Sequence, residues 1–157
     1  MRFSKILFPT DFSEHSLYAL PYAKDLVGQF GGELHCIHVV DEAYQYWMGA
    51  GETATVPVVM PVEEVRRASE AQLGKFVREH LGDMPEGRVW TEVLVGRPFM
   101  EIIRYAHDKE MDLIVIATHG RGALASMLLG SVTEKVVRKS TCPVLTIRHP
   151  EQRFVAP

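Results

Sequence analysis

The chain has few cysteines, no excess of basic residues and no long apolar run. Its 157 residues include 2 cysteines, and 17 Lys+Arg stand against 20 Asp+Glu. Cys36 and Cys142 are far apart and show no CxxC spacing, which favours buried free thiols over a disulfide or a metal site. The formal net charge of −3 argues against a nucleic-acid surface. No run approaches the roughly 18 apolar residues of a membrane helix, and no signal-peptide pattern is present, so we expect a cytoplasmic protein without membrane association.

Several familiar site motifs are also missing. GxxxxGK[ST] is absent, which argues against a P-loop, and no GxGxxG opens a helix after a strand. The 7 histidines show no ligand spacing, and His35 and His38 would point to opposite faces of one strand. No Ser/His/Asp or Cys/His catalytic set is indicated by spacing. We therefore expect neither a metal site built from these histidines nor a hydrolase triad.

Five short apolar runs alternate with helical patterns along the chain. They predict strands over residues 5–8, 33–40, 89–95, 112–117 and 143–148. Between them, helical periodicity predicts helices over residues 13–30, 62–81, 99–109 and 132–139. Strict alternation with short connections predicts one α/β domain, a doubly wound five-stranded parallel sheet with helices on both faces.

Two segments fall outside this alternation. Residues 41–61 have no hydrophobic period and contain two glycines and two prolines, so we predict a long loop. Its apolar side chains fit either a lid over a ligand or a partner surface: Tyr44, Tyr46, Trp47 and Met48. Residues 149–157 are predicted to form a loose C-terminal tail, which leaves 1–148 as the domain.

The most informative segment runs from the fourth predicted strand into the last predicted helix. It contains a loop with Gly120 and Gly130, followed by Ser131 and, three residues later, Glu134. That spacing predicts a capping box with the helix beginning at Val132. A glycine loop beside a helix N-terminus offers backbone N–H groups and a positive dipole end, which suit phosphate. A nucleotide is therefore the leading ligand hypothesis, and a loop that only turns the chain is the alternative.

A second loop is expected to lie near the first. Ligands of open parallel sheets bind beyond the carboxyl ends of the strands, where the strand order reverses. The loops after the first and fourth strands would flank that point if these strands are neighbours. Asp11 could then accept a hydrogen bond from a ribose or base, or hold a magnesium ion. The alternative is that Asp11 or Ser13 caps the first helix, and N-cap preferences favour Ser13 in that role.

Together these residues resemble the universal stress protein family. The resemblance covers almost the whole chain, through ILFPTDFS at 6–13, HVVD at 38–41, GRP at 96–98, ATHGRG at 117–122, LLGSV at 128–132 and CPVL at 142–145. It implies a Rossmann-like fold of the adenine nucleotide alpha-hydrolase type, with the first and fourth strands side by side.

ATP-binding members of that family carry the pattern Gly, two residues, Gly, nine residues, Gly, then Ser or Thr. Here the second glycine is Gly120, the third is Gly130 and the hydroxyl residue is Ser131. The first position is Ala117, which adds a methyl group where glycine permits close backbone approach. The intact remainder of the pattern places the chain with the ATP-binding members.

The resemblance also implies which residues hold the ligand, ATP with Mg²⁺. Adenine and ribose would lie against Pro9, Thr10, Asp11 and Val39. The phosphates would be held by Gly120, Gly130, Ser131, Val132 and Thr133. Two further candidate site residues are suggested by the chemistry of their side chains. Arg121 could pair with a γ-phosphate or be a solvated surface arginine, and His119 could contact phosphate or stabilise the loop.

The predicted site offers positioning and backbone donors but no clear group to activate water, since Asp11 is the only carboxylate near it. We therefore expect an ATP-binding regulatory module of stress responses, with little or no turnover, in which ATP shifts conformational or assembly states. The alternatives are a slow ATPase or phosphoryl-transfer protein, and a dimeric interaction protein that binds no nucleotide. In the family topology strand 143–148 lies at the sheet edge and commonly mediates dimerisation, so a homodimer is expected.

Overall fold

Strands and helices alternate along the chain in the computed structural model, which describes residues 3–42, 61–120 and 129–150. The strands are β1 (Lys5–Pro9), β2 (Glu33–Asp41), β3 (Val89–Gly96), β4 (Leu113–Ala117) and β5 (Val144–Ile147). The helices are α1 (Glu14–Phe30), α2 (Val62–His80), α3 (Pro98–Asp108) and α4 (Ser131–Lys139). Each element begins and ends within one residue of the bounds predicted from the sequence.

The strands form a parallel sheet in the order β3-β2-β1-β4-β5. Strand β1 lies at the centre, with Ile6 opposite Leu34 of β2 on one side and Leu113 of β4 on the other. The winding reverses at β1, so the carboxyl ends of β1 and β4 flank the topological switch point. This confirms the doubly wound sheet and the adjacency of the first and fourth strands.

Alternate strand residues pack into two apolar clusters, one on each face of the sheet. On one face Phe8 and Val115 pack with Leu20 of α1 and with α2. On the other face Leu7 and Ile114 pack with α3 and α4. The four strand residues are fully buried, which explains why the strands are continuous apolar runs in the sequence.

Capping residues fix both ends of helix α1. The hydroxyl of Ser13 accepts a hydrogen bond from the Ser16 N–H at 3.2 Å. At the other end Gly31 adopts the left-handed conformation, with φ 64°, and its N–H donates to the carbonyl of Val27. Ser13 is therefore the N-cap, as its residue type favours.

Helix α4 begins one residue earlier than predicted. Gly130 is the N-cap in an extended conformation (φ −65°, ψ 153°), and Ser131 is already helical. The predicted capping box is therefore wrong, and the Glu134 carboxylate instead accepts from Arg138 at 3.2 Å. The earlier start of the helix follows from a contact with the residue after β4. The Gly130 N–H donates to the Thr118 carbonyl at 2.7 Å, and this bond fixes Gly130 as the N-cap.

Parts of the two segments outside the alternation are visible. Asp41, predicted as the first loop residue, is the last residue of β2, and Pro61 is the N-cap of α2. Residues 43–60, including the aromatic side chains of the predicted loop, lie outside the described residues, as do residues 151–157 of the predicted tail. Among the helices that the structure describes, none is long and apolar enough to cross a membrane.

Candidate functional site

Hydrogen bonds to β2 and α1 fix the loop that follows β1. Thr10 is buried, and its N–H donates to the carbonyl of Ile37 at 2.8 Å. Its hydroxyl oxygen accepts from the Phe12 N–H at 3.0 Å and lies 2.6 Å from the hydroxyl oxygen of Ser16. The Thr10 carbonyl accepts from Nδ1 of His38 at 2.8 Å, so this imidazole nitrogen carries a proton. Hydrogen bonds to β2 and α1 therefore hold the loop in place without a ligand.

Phe12 has a backbone conformation that a bulky residue rarely adopts. Its φ is 62°, in the left-handed region, and its ring centroid lies 4.4 Å from that of His38 and 5.8 Å from that of Phe76. Such a conformation costs on the order of 1 kcal/mol and persists where surrounding contacts enforce it. Sequence reasoning missed Phe12 and the His38 contact, because neither residue type signals a left-handed turn.

The turn at Phe12 brings Ser13 back onto Asp11. Asp11 Oδ1 accepts from the Ser13 N–H at 3.0 Å and from the Ser13 hydroxyl at 2.5 Å. The other carboxylate oxygen, Oδ2, occupies the space beside Gly120, where a Cβ atom on residue 120 would collide with it and lie 3.3 Å from Cγ. The loops after β1 and β4 therefore meet at Asp11 and Gly120, and Ser13 both caps α1 and orients Asp11.

Ala117 ends β4 with its side chain in the core. It is 6% exposed and belongs to the same apolar cluster as Ile6 and Leu20, on the α1 face of the sheet. Its carbonyl accepts from the hydroxyl of Thr133 at 2.8 Å. The methyl group that replaces the first glycine of the family pattern is therefore packed against the core.

Helix α4 starts directly beside this strand end. Its first turn contains Ser131, which is exposed, Val132, which is half-buried, and Thr133, which is 3% exposed. Within the described part of the chain no side chain caps this turn, so its backbone N–H groups remain as donors. The Thr133 hydroxyl is committed to Ala117, so a ligand could receive only the backbone N–H of this residue.

The remaining predicted residues lie at the carboxyl ends of the strands, except one that falls outside the described ranges. Pro9 is the buried last residue of β1, and Val39 is half-buried near the end of β2, packed against the α3 and α4 cluster. His119 is 5% exposed, with Nδ1 3.1 Å from the Thr118 hydroxyl oxygen, which supports a role in holding the loop. Arg121 falls outside the described residues.

Three histidines from distant segments converge beside this loop. The His15 ring lies 6.3 Å from that of His119 and 5.2 Å from that of His149, measured between centroids. Sequence spacing did not reveal the cluster, because its members follow β1, β4 and β5. Within residues 3–42, 61–120 and 129–150, no three or more His, Cys, Asp or Glu side chains are grouped so that they could hold a metal ion.

A separate polar network lies at the amino end of β2, away from the switch point. His35 is buried, with Nδ1 2.8 Å from the Tyr105 hydroxyl oxygen and Nε2 3.1 Å from a Glu33 carboxylate oxygen. The hydrogen bond with His35 lowers the pKa of Glu33, and Trp90 donates to the same carboxylate at 3.1 Å. Burial, with the nearby carboxylates, raises the pKa of Tyr105 to about 12. The network satisfies buried polar groups and stabilises the sheet.

Comparison with known proteins gives consistent matches. Residues 2–148 match the sequence model of the Universal stress protein family. Universal stress protein MJ0531 of Methanocaldococcus jannaschii is 34% identical over 150 residues, covering 96% of this chain and 85% of the relative. The solved structure of hypothetical protein MJ0577, from the same organism, has a TM-score of 0.75 at 33% identity and covers 95% of this chain and 98% of that one. A universal stress protein in complex with cAMP has a TM-score of 0.68 at 19% identity, covering 94% and 98% of the two chains.

Proposed function

The chain belongs to the universal stress protein family, and from this premise we propose that it is an ATP-binding regulatory module with little or no turnover. The observation that carries the proposal is the meeting of three features at the switch point: the Asp11 carboxylate, Gly120 and the start of α4, which no side chain of the described residues caps. A protein of the same fold has been solved with cAMP, so the fold accommodates an adenine nucleotide.

The phosphates would lie at the start of α4. The first turn offers backbone N–H donors at Ser131, Val132 and Thr133, and the positive end of the helix dipole adds to their attraction for anions. A Cβ atom at residue 130 would lie 3.2 Å from the Thr118 carbonyl oxygen, so glycine lets the start of the helix lie close to the end of β4. Glycine also adds no side chain at the N-cap, where a phosphate would approach the backbone N–H groups.

The nucleoside would lie along the ends of β1 and β2. The hydroxyl, N–H and carbonyl groups of Thr10 are all hydrogen-bonded, so this residue frames the site, and Val39 supplies apolar surface for a base. Asp11 has one carboxylate oxygen held by Ser13, and the other is directed to the β4 loop. That second oxygen fits a ribose hydroxyl or the Mg²⁺ that accompanies ATP.

The alanine at position 117 is compatible with this proposal. Glycine would be needed there only if a Cβ atom blocked the ligand, whereas the Ala117 methyl group packs in the core on the α1 face. Its carbonyl is also hydrogen-bonded to Thr133. The chain therefore keeps the backbone geometry of the phosphate loop without the first glycine.

Slow or absent turnover follows from the surroundings of Asp11. Among the described residues, Asp11 supplies the carboxylate that lies against Gly120, and two Ser13 donors already occupy one of its oxygens. Fast hydrolysis needs a group that orients and deprotonates a water molecule, and a carboxylate fixed in this way is poorly placed for it. ATP would then act by stabilising one conformational or assembly state.

Assembly and location are part of the same proposal. Strand β5 lies at the edge of the sheet, and Leu145 on it is 38% exposed. An apolar edge strand readily pairs with a second chain, so we expect a homodimer through residues 143–148. We expect this dimer to be located in the cytoplasm.

A charge substitution tests the phosphate site directly. Ser131→Asp places a carboxylate on the first helical residue, where the dipole stabilises it but where it repels phosphate. Titration calorimetry should show that Mg·ATP binds the wild type, and that Ser131→Asp weakens ATP by at least about tenfold while adenosine binding stays within about twofold.

Thr141→Asp is the matched control, because it adds the same charge at an exposed position just before β5, at the amino ends of the strands and so at the opposite end of the sheet from the proposed phosphate site. Equal loss of ATP binding in both variants would contradict the proposed phosphate position. A wild type that binds no Mg·ATP at about millimolar concentration would favour the interaction protein, and phosphate release above background would favour the slow ATPase.

A further inference from the structure

The buried hydroxyl of Thr133 points to a role that differs from ligand contact. We propose that Thr133 is a positioning residue, whose hydroxyl holds the first turn of α4 on the end of β4 and keeps the backbone donors of that turn aligned. This inference rests on the proposed ATP site for its consequence, but the contact itself is independent of any ligand. The Thr133 hydroxyl therefore bonds within the protein, and only the backbone N–H of this residue is left to bind a phosphate.

The hydrogen bond from Thr133 leaves no donor for a phosphate. A carbonyl oxygen only accepts, so the single hydroxyl hydrogen of Thr133 is used by Ala117, at an oxygen–oxygen distance of 2.8 Å. Phosphate oxygens at neutral pH also accept, so they need donors. Since Thr133 is 3% exposed, its hydroxyl cannot turn outward without breaking a buried bond.

A second hydrogen bond acts beside that of Thr133. The N–H of the N-cap residue Gly130 donates to the carbonyl of Thr118, the residue after β4, at 2.7 Å, so the carbonyls of residues 117 and 118 hold the third residue of the helix and its N-cap. Val136, one turn later, is fully buried against the opposite cluster of the core. The start of the helix is therefore fixed by hydrogen bonds, and its continuation is fixed by packing.

The position of the helix start decides how well its N–H groups can bind an anion. Three donors bind one phosphate together only when they keep a common orientation, and hydrogen bonds weaken steeply as their angle worsens. Loss of the Thr133 hydrogen bond would leave the Ala117 carbonyl without its partner and would release one side of the turn. We expect ATP to bind about tenfold more weakly as a result, whereas adenosine, which lacks phosphates, should bind within about twofold of its original affinity.

The test compares Thr133→Val with Thr133→Ser. Valine replaces the hydroxyl with a methyl group of similar size, and serine restores the hydroxyl. In the nucleotide-free protein, hydrogen exchange at residues 134–137, the first residues whose N–H groups are bonded within the helix, should become faster in Thr133→Val and stay as in the wild type in Thr133→Ser. ATP affinity should fall in the first variant and return in the second. Thr91→Val, on the exposed outer strand β3, is the matched control and should change neither measurement.

The outcomes separate this inference from the proposed function. Unchanged exchange together with weaker ATP binding would mean that the hydroxyl contacts the ligand directly, and would overturn the positioning role. Unchanged ATP binding in Thr133→Val would overturn it as well. A wild type that binds no ATP would refute the proposed function, and the exchange comparison would then decide alone whether Thr133 holds the turn. Thr133→Ala repeats the comparison if the valine variant does not fold.

Discussion

Replacing Gly120 with alanine should destabilise the protein through Asp11. The backbone of Gly120 is outside the left-handed region, so alanine meets no conformational penalty there. The added methyl group would instead collide with Asp11 Oδ2. The carboxylate must then rotate and lose its hydrogen bonds to the Ser13 N–H and hydroxyl, at 3.0 and 2.5 Å.

The expected cost follows from those two bonds. Hydrogen bonds to a charged group are worth about 1.5–3 kcal/mol each, but the released carboxylate is half-buried and regains water. We therefore expect Gly120→Ala to lower the free energy of unfolding by about 2 kcal/mol. In an Asp11→Ala background the collision is gone, and the same change should be neutral or should stabilise by about 0.4–1 kcal/mol, because alanine restricts the unfolded chain.

Urea unfolding of the four proteins in this double-mutant cycle measures the coupling between the two positions. A coupling energy of about 2 kcal/mol is expected, since residues in contact depart from additivity by amounts of this size. Additive effects, with Gly120→Ala equally costly in both backgrounds, would refute the claim that Asp11 is the reason for glycine at this position. The m-value should be the same in all four proteins.

Three further predictions follow from contacts away from the glycine loop. Because the hydrogen bond with His35 lowers the pKa of Glu33, this carboxylate adds stability above about pH 4.5 and loses it as the pH falls. Glu33→Gln should therefore cost about 1 kcal/mol in urea unfolding near pH 7 and less near pH 3, and equal costs would contradict this. Burial raises the pKa of Cys36 to about 12, so Cys142→Ser protein should react with Ellman's reagent only after unfolding, and a reactive native thiol would argue against the buried position. Leu145→Lys on the edge strand should convert the expected dimer to a monomer in light scattering, and a persistent dimer would place the interface elsewhere.

The sheet and its helices could be predicted from the sequence because their signals are local. Continuous apolar runs identify the buried strands, Ser13 identifies the start of α1, and Gly31 identifies its end. The adjacency of the first and fourth strands and the edge position of the last strand come from the family resemblance, because periodicity does not say which strands are neighbours. The structure confirms both.

The site was harder to predict because its details depend on contacts between distant segments. The capping box at Ser131 fits the local pattern, but a bond from Gly130 to Thr118 starts the helix one residue earlier. The hydroxyl of Thr133 suggests a phosphate ligand until its partner, 16 residues away on β4, is seen. Ala117 likewise breaks the glycine pattern in the sequence, whereas its methyl group packs in the core.

The identity of any nucleotide that remains bound during purification tests the central claim most directly. Freshly purified protein would be denatured, and the released small molecules would be separated by ion-exchange chromatography. The proposed function predicts ATP at close to one molecule per chain, which would also show that Ala117 is tolerated in the phosphate loop. ADP in its place would favour the slow ATPase. An empty protein that also fails to bind added Mg·ATP would contradict nucleotide binding itself.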